Sequence, residues 1–368
     1  MKVHILTKGF LSPTSRGWLH PVVRNKQMLL DSGLDISFYF KNSEKVKFCD
    51  VVIVESKFVR DEWMKSKEKI FELLINLKTK NNKIFFYDLG DSTYSWVLEV
   101  LPYVDKFFKP FIFKDKNNYC IPLNGCNIFT NYYARNGYTE FDNERTPKFL
   151  QGKDKNLLEK IKVGFNSSFA DHSLNSNLWK YDYFHRITRR SFNLYSKLLK
   201  NIKKEDFVAP SLLRQKDLSC RMSLNGYSNG VEFHRKETAK ILRKYLSTNK
   251  ISRKNYFYEI CNSKVVISPF GWGEINVPRD YEVALCGSLL LKPDLSHIIT
   301  WPNIFNKDTV VQYKWDLSDL LEIIDKILSN YKDYIDYASR LQSQYKHYSI
   351  EETGQKEFCD YFVNKIIN

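Results

Sequence analysis

The residues best suited to chemistry lie between Val265 and Gly287. A buried strand is expected to end near Phe270, and a loop with Gly271 and Gly273 then leads to a helix that begins near Pro278. In open α/β sheets, ligands bind at the carboxyl ends of the strands, and the N–H groups of a helix N-terminus attract phosphate. The segment therefore predicts a site for a nucleotide diphosphate.

Charged residues in the same segment point the same way. Arg279 lies in the first turn of the expected helix, where a cation is electrostatically unfavourable and an anionic ligand would remove the penalty. Two carboxylates, Glu274 in the loop and Glu282 on the helix, are separated by seven residues and are expected to face one cleft. The alternative is an ordinary strand-loop-helix unit with turn glycines and solvated glutamates.

The order Ser-Pro-Phe-Gly-x-Gly-Glu, then Arg-x-x-Glu-x-x-x-Cys-Gly and a short apolar strand, resembles the donor-binding segment of GT-B glycosyltransferases, especially bacterial surface-polysaccharide enzymes and exostosin-like relatives. The resemblance implies that Glu274 approaches the donor sugar, as a catalytic candidate, and that Glu282 holds the ribose. The donor-binding candidates here are Phe270, Gly271, Trp272, Gly273, Pro278, Arg279 and Glu282. Residues 276–279 depart from the Gly-Phe-Gly link of many relatives, which leaves the stereochemistry of transfer open.

Strands and helices alternate along the chain. Apolar strands are expected at 3–6, 35–40, 50–55, 83–88, 162–166, 206–209, 264–268 and 288–291, and helices at 19–30, 58–77, 183–202, 235–245, 254–262, 317–328 and 351–367. Uniformly apolar strands separated by helices favour parallel sheets covered on both faces.

The predicted fold class is α/β, with two Rossmann-like domains facing a central cleft, which is the GT-B arrangement. Residues 1–155 form the expected N-terminal acceptor-binding domain, and residues 156–350 form the nucleotide-sugar-binding domain. A C-terminal helix within residues 351–368 is expected to cross back to the first domain.

Fixed cations are required to hold a donor diphosphate, and arginine suits the role by its bidentate geometry. Arg235, which follows His234 at an expected helix start, is the best candidate, and His234 is a donor-binding candidate beside it. Arg214 and Lys216 are further donor-binding candidates, with a solvated basic face as the alternative.

Four more positions complete the candidate site. Gly164 and Asn166 end the strand expected to begin the second domain, where backbone approaches donor phosphates; a turn without a ligand is the alternative. An inverting enzyme needs a general base for the acceptor hydroxyl, and Asp91 and His20 are the candidates. Asp91 would alternatively cap a following helix, and His20 would alternatively begin one.

Composition limits the class of protein. The 368 residues carry a net charge of +15, which suits a polyanionic partner or reflects a lysine-rich composition. Seven scattered cysteines form no CxxC pair, and no histidine cluster has zinc spacing, so no metal is expected. No other cofactor is expected, since the nucleotide-sugar is a substrate. The N-terminal apolar run is too short for a signal peptide, which favours the cytoplasm. The basic segments 57–83 and 186–204 suggest contact with the inner face of an anionic membrane, or are ordinary amphipathic helices.

The expected activity is transfer of a sugar from a nucleotide-sugar donor to a hydroxyl of a bacterial surface glycan of the capsule or lipopolysaccharide type, the acceptor being a glycan or a lipid-linked glycan. The alternatives are a non-catalytic sugar-binding protein and a nucleic-acid-binding protein. The sequence contains no helix-turn-helix, RNP-type or zinc motif, so nucleic acid is not expected as a partner.

Overall fold

The computed structural model describes residues 1–9, 12–142, 149–174 and 202–368. The strands are β1 (Lys2–Leu6), β2 (Asp35–Tyr39), β3 (Val51–Glu55), β4 (Lys83–Tyr87), β5 (Lys106–Lys109), β6 (Phe111–Phe113), β7 (Ile161–Val163), β8 (Lys216–Ser219), β9 (Ser263–Ile267), β10 (Leu289–Pro293), β11 (Ile298–Thr300) and β12 (Val311–Tyr313). The helices are α1 (Pro13–Arg24), α2 (Lys26–Asp31), α3 (Ser56–Trp63), α4 (Lys67–Leu77), α5 (Ile128–Arg135), α6 (Asn229–Leu242), α7 (Arg253–Cys261), α8 (Arg279–Cys286), α9 (Leu320–Ser329), α10 (Tyr331–Ile350) and α11 (Glu352–Tyr361).

The first lobe is built on six parallel strands in the order β2-β1-β3-β4-β5-β7. Apolar clusters cover both faces of this sheet, as the uniformly apolar strands predict. The strand expected to begin the second domain proved to be β7 of this first sheet, with Ile161 opposite Phe107. That prediction was wrong because a three-residue edge strand carries no signal of which sheet it joins.

The second lobe is built on four parallel strands in the order β12-β10-β9-β8. Residues 206–209 were expected to form a strand, but Val208 instead bonds its N–H to the carbonyl of Leu285 at the end of α8. The edge position belongs to β8, whose first two residues, Lys216 and Asp217, are exposed. A polar edge strand lacks the apolar run that sequence reasoning requires.

Several links join the lobes in the described part of the chain. Strands β6 and β11 form a short antiparallel ribbon between them, with Ile112 opposite Ile299. Helix α5 comes from the first 155 residues but packs in the apolar core of the second lobe, where Phe129 stacks on Phe270 with ring centroids 3.8 Å apart. The C-terminal helix provides a third link.

Helix α11 and the π-helical segment Phe362–Ile367 return to the first lobe and enter its core. Phe358 meets the ring of Phe165 edge-on at 5.1 Å and lies 4.9 Å from the ring of Phe169. The predicted return of the C-terminal helix is therefore confirmed. Two Rossmann-like lobes with this crossing helix also confirm the predicted fold class.

The basic helix expected at 183–202 lies outside the described residues, except for residue 202. Across the described part of the chain, no helix combines the length and the apolar character needed to span a bilayer.

Replacing Phe358 with alanine tests the importance of the crossing helix. Phe358 is fully buried, so the variant should lose about 3–5 kcal/mol of unfolding free energy through lost burial and a new cavity. Urea denaturation followed by circular dichroism measures the change. Lys356→Ala, an exposed position on the same helix, should stay within about 0.5 kcal/mol of wild type. Equal effects of the two variants would contradict a buried anchoring role for α11.

Candidate active site

A cavity of about 320 Å³ lies between the lobes. Its walls come from the first turns of α1, from residues that follow β4, β5 and β7, and from Gly271–Gly273 and Ile275–Val277 after β9. All of these segments follow the carboxyl ends of parallel strands, which is where open α/β sheets bind ligands. The cavity is thus at the place that the sequence predicted, and the loop after β9 forms one wall.

A buried carboxylate, Asp280 in the first turn of α8, holds that loop in shape. Its Oδ1 accepts a hydrogen bond from the Ser268 hydroxyl at 2.6 Å, and its Oδ2 accepts one from the backbone N–H of Asn276 at 2.8 Å. Lys292 of β10 donates to the same Oδ2 at 2.7 Å, and neither charged side chain is exposed. Sequence reasoning missed this pair; a lysine directly after the apolar run Leu289–Leu291 was the available signal.

Glu274 is turned away from the cavity, contrary to expectation. Its carboxylate is fully buried and accepts hydrogen bonds from the hydroxyl of Thr93 at 2.6 Å and from the backbone N–H of Thr93 at 3.1 Å. Burial favours a raised pKa for Glu274, but His297, 3.9 Å away, and the Thr93 bonds outweigh it and hold the pKa below its usual value. This carboxylate joins the lobes in the described structure.

Glu282 does not line the cavity either. It lies on α8 and pairs with Arg253 at 2.8 Å, and burial raises the pKa of its carboxyl. Arg279, predicted at the start of this helix, is its first residue, with Pro278 directly before it, so the predicted helix start is confirmed. The Arg279 Nη1 atom is buried and has no hydrogen-bond partner among the described residues. Neither Pro278 nor Arg279 lines the cavity.

Arg235 is the predicted cation that reaches the cavity. Its Nε donates to the carbonyl of Phe270 at 2.7 Å, its Nη1 donates to the carbonyl of Ser223 at 2.9 Å, and its guanidinium lies 4.1 Å from the ring centre of Tyr227. Burial lowers the pKa of Arg235, and the nearby Arg279 lowers it further. The expected helix start was wrong, since α6 begins at Asn229 and places Arg235 in its second turn.

The other basic candidates serve the structure of the second lobe. Arg214 is buried and donates to backbone carbonyls, including those of Cys286 at 2.6 Å and Gly287 at 2.7 Å. Lys216 lies at the surface on β8 and pairs with Glu259 at 3.3 Å. Neither lines the cavity, so the alternative of a structural or solvated role describes them better.

His234 and Phe270 belong to the core of the second lobe. The His234 Nδ1 lies 2.6 Å from the hydroxyl of Tyr133, and burial lowers the pKa of His234 to about 3. Phe270 is fully buried against Phe129. These two residues support the cavity wall without forming part of it.

Gly164 and Asn166 have no free group for a phosphate. A Cβ on Gly164 would lie 2.1 Å from the Tyr87 hydroxyl, so this glycine permits a close packing contact. Asn166 lines the cavity, but its amide nitrogen donates to Thr300 at 2.8 Å and to the carbonyl of Pro302 at 2.7 Å. Both amide hydrogens of Asn166 are therefore used within the protein, so the expected hydrogen bond from Asn166 to the donor is not available.

Of the two candidate bases, Asp91 lines the cavity and His20 does not. His20 is the eighth residue of α1 and is buried, so it neither begins the helix nor lines the cavity. Asp91 is exposed and caps no helix, because the N–H groups of Thr93 and Tyr94 bond to Glu274 and Ser92 instead.

Trp272 and Tyr227 form an aromatic corner of the cavity, with ring centroids 5.1 Å apart. Tyr227 was missed at the sequence level, as was His172, which also lines the cavity. Tyr227 and His172 both lie in loops whose paths depend on contacts with residues far away in the sequence. Within the described ranges, no group of three potential metal ligands is placed to hold an ion.

Comparisons with known proteins add distant likenesses. No family model matches the chain, and no curated protein matches it. Among solved structures, an alpha-glucosyltransferase in complex with UDP and DNA is 10% identical, with 99% of each chain covered and a TM-score of 0.38. Alr3699/HepE from Anabaena is 9% identical over 99% of each chain, with a TM-score of 0.41. A glycosyltransferase from Rickettsia africae is 12% identical over 98% of this chain and 96% of its own, with a TM-score of 0.39.

At these TM-scores, the likenesses assign no function to this chain. The strand order and the crossing helix described above establish its two-lobed fold. The function is inferred from the cavity and the residues around it.

Glu274→Gln tests the link between the lobes. At neutral pH the variant should lose about 1–3 kcal/mol of unfolding free energy, because a neutral amide replaces an acceptor of two hydrogen bonds. A depressed carboxyl pKa stabilises the fold above the ordinary value of 4.5, and this contribution disappears as pH falls through the folded-state pKa. The difference between wild type and variant should therefore shrink below pH 4.5.

Urea denaturation at a series of pH values measures that difference. Glu72→Gln, at an exposed position on α4, is the control and should show little difference from wild type at any pH. A difference for Glu274→Gln that grows towards acid pH would contradict the assigned role.

Proposed function

We propose that this protein is a glycosyltransferase that moves a sugar from a nucleotide-sugar donor to an acceptor hydroxyl in the cavity between the lobes. The observation that carries the proposal is Arg235, a buried guanidinium on the cavity wall with no carboxylate within ion-pair distance among the described residues. A buried cation without a counter-ion favours binding of an anion, and a donor diphosphate is such an anion.

The position of Arg235 supports a phosphate contact. Its hydrogen bonds to Phe270 and Ser223 fix the guanidinium plane, and fixed cations stabilise a leaving diphosphate where its charge develops. Arg279 lies close enough to lower the pKa of Arg235, so two cations raise the potential at this side of the cavity. The loop after β9, which lines the cavity as far as Val277, leads directly into α8.

The aromatic corner suits the neutral part of a donor. Trp272 is 45% exposed and lines the cavity together with Tyr227. Exposed aromatic rings at a cavity edge stack on bases and on the apolar faces of sugars. A nucleotide would then place its diphosphate at Arg235 and its base or sugar near these rings.

Asp91 is the proposed general base for the acceptor. The lobes meet closely here, since a Cβ on Gly273 would lie 1.7 Å from the Asp91 carbonyl oxygen. The Asp91 backbone is thus adjacent to the donor loop, and Asp91 lines the cavity. It would take the proton from the acceptor hydroxyl as the hydroxyl oxygen attacks the anomeric carbon and the bond to the diphosphate breaks.

The acceptor class rests on the sequence resemblance. We propose a hydroxyl of a bacterial surface glycan, of the capsule or lipopolysaccharide type, on a glycan or lipid-linked carrier. Contact with an anionic membrane and a cytoplasmic location stay predictions.

A thermal-shift screen with uridine, guanosine, adenosine and cytidine diphosphates tests donor binding. At least one should raise the melting temperature, because a ligand that binds only the native state stabilises it by mass action. Arg235→Gln should weaken binding of that nucleotide by about tenfold or more, since charge-assisted hydrogen bonds to phosphate are strong. Arg243→Gln, an exposed arginine next to the end of α6, should bind as wild type does. No shift with any of the four nucleotides would contradict the proposal.

Asp91→Asn tests the base. Its kcat should fall by about 10²–10⁴ while the affinity for the nucleotide stays unchanged, because the amide cannot accept the proton. Radiolabelled sugar transfer and isothermal titration measure the two quantities. Asp31→Asn, at an exposed position on α2, is the matched control. A kcat close to wild type would remove Asp91 from the reaction.

A further inference from the structure

His172 lines the cavity, yet one of its ring nitrogens has no partner. The side chain is 1% exposed, and its Nε2 lies 2.9 Å from the carbonyl oxygen of Ser167. The Nδ1 atom is buried and makes no hydrogen bond to any described residue. Buried polar atoms without a partner are rare because each costs about 1–3 kcal/mol, so this one requires an explanation.

The bond to Ser167 determines the chemistry of the free nitrogen. A carbonyl oxygen only accepts hydrogen bonds, so the Nε2 atom of His172 must carry the proton. Burial lowers the pKa of His172 to about 4, so the ring is neutral near pH 7. In that tautomer Nδ1 is a lone-pair acceptor and requires an O–H or N–H donor.

Contacts to both the ring and the backbone hold His172 in place. Tyr281 stacks on it with centroids 4.5 Å apart and an angle of 16° between the planes. The backbone N–H of His172 donates to the Tyr345 hydroxyl at 3.2 Å, and that hydroxyl donates to the Ala170 carbonyl at 2.8 Å. Tyr281 belongs to α8, the helix that follows the donor loop, so the imidazole is fixed relative to that loop. A rigid acceptor contributes to specificity because little entropy is lost when it binds.

We propose that the Nδ1 atom of His172 accepts a hydrogen bond from a sugar hydroxyl of the ligand bound in the cavity. This inference rests on the proposed function, since it assigns a contact within the same cavity. The hydroxyl belongs either to the ribose of the nucleotide or to the sugar that is transferred. His172 thus selects a ligand that presents a hydroxyl at this position and disfavours one that lacks it, because the nitrogen would stay unpaired.

The test compares two substitutions at one position. His172→Gln keeps an N–H near the place of Nε2, which preserves the bond to Ser167, but removes the acceptor at Nδ1. His172→Asn places an amide oxygen near Nδ1 instead. His4→Asn is the control, because His4 is a buried histidine on β1 that bonds the Val46 carbonyl through Nδ1 at 2.8 Å and does not line the cavity.

The probes are the nucleoside diphosphate with the largest shift in the screen above, its 2′-deoxy and 3′-deoxy analogues, and its glucose ester. Isothermal titration should show about tenfold weaker binding to His172→Gln and partial recovery in His172→Asn, with wild-type affinity for His4→Asn. Weaker binding of the nucleoside diphosphate itself to His172→Gln assigns the contact to the ribose. Weaker binding of the glucose ester alone assigns it to the transferred sugar.

A ligand-based cycle separates contact from damage to the fold. If the contact is to ribose, one deoxy analogue should bind wild type about tenfold more weakly than the parent nucleotide does. The same analogue and the parent nucleotide should bind His172→Gln with equal affinity. Unchanged affinity of His172→Gln for both nucleoside diphosphate and glucose ester overturns the inference. Should that variant fail to fold, wild type that tolerates loss of each ribose hydroxyl, and of each sugar hydroxyl in deoxy analogues of the glucose ester, also overturns it. Wild type that binds none of the four nucleotides refutes the proposed function instead.

Discussion

The cavity depends on one buried carboxylate, Asp280. A buried ion pair is costly unless its remaining polar atoms are satisfied, and Asp280 meets that condition through Ser268, Asn276 and Lys292. These three partners lie at the end of β9, in the following loop and on β10, so one side chain fixes the relative positions of three segments. The loop that results carries the carbonyl of Phe270 that orients Arg235. Donor loop, cation and helix start are therefore positioned as a single unit.

The fixed loop in turn sets the distance between the lobes. Glu274 at its end reaches across to Thr93, and Gly273 allows the backbone of Asp91 to approach more closely than any side chain would permit. Glu274 was expected to bind sugar, but it instead aligns the loop that carries Asp91, the proposed base, with the loop after β9, the proposed donor site. The antiparallel ribbon of β6 and β11 and the buried bond from Asn166 to Thr300 reinforce the same interface. Separation of the lobes would therefore break several buried hydrogen bonds at once.

Sequence reasoning succeeded where a local pattern determines the structure. The apolar runs of β1, β3, β4, β9 and β10 were predicted because burial on both faces leaves a continuous signal, and the position of the cavity followed from where those strands end. The direction of Glu274 was not predictable, because its partner lies 181 residues away in the chain. The same limit applies to His172, whose ring is held by α8 and α10. Short polar strands such as β8 also gave no signal, since an edge position requires no apolar run.

Arg235 differs from Arg214, another buried arginine of the second lobe, because Arg235 lines the cavity, and this position supports an anionic ligand. Arg214 reaches several backbone carbonyls and the Ser288 hydroxyl, and Arg221 pairs with Glu259 at 2.7 Å. The Arg214 Nε atom and the Arg279 Nη1 atom nevertheless have no hydrogen-bond partner among the described residues, so Arg235 is distinguished by its place on the cavity wall. Burial lowers the pKa of Arg235, and a second cation, Arg279, lowers it further by repulsion. Arg235 lies on the cavity wall and Arg279 does not, so an anion bound beside Arg235 would offset both the cost of burying Arg235 and the repulsion from Arg279.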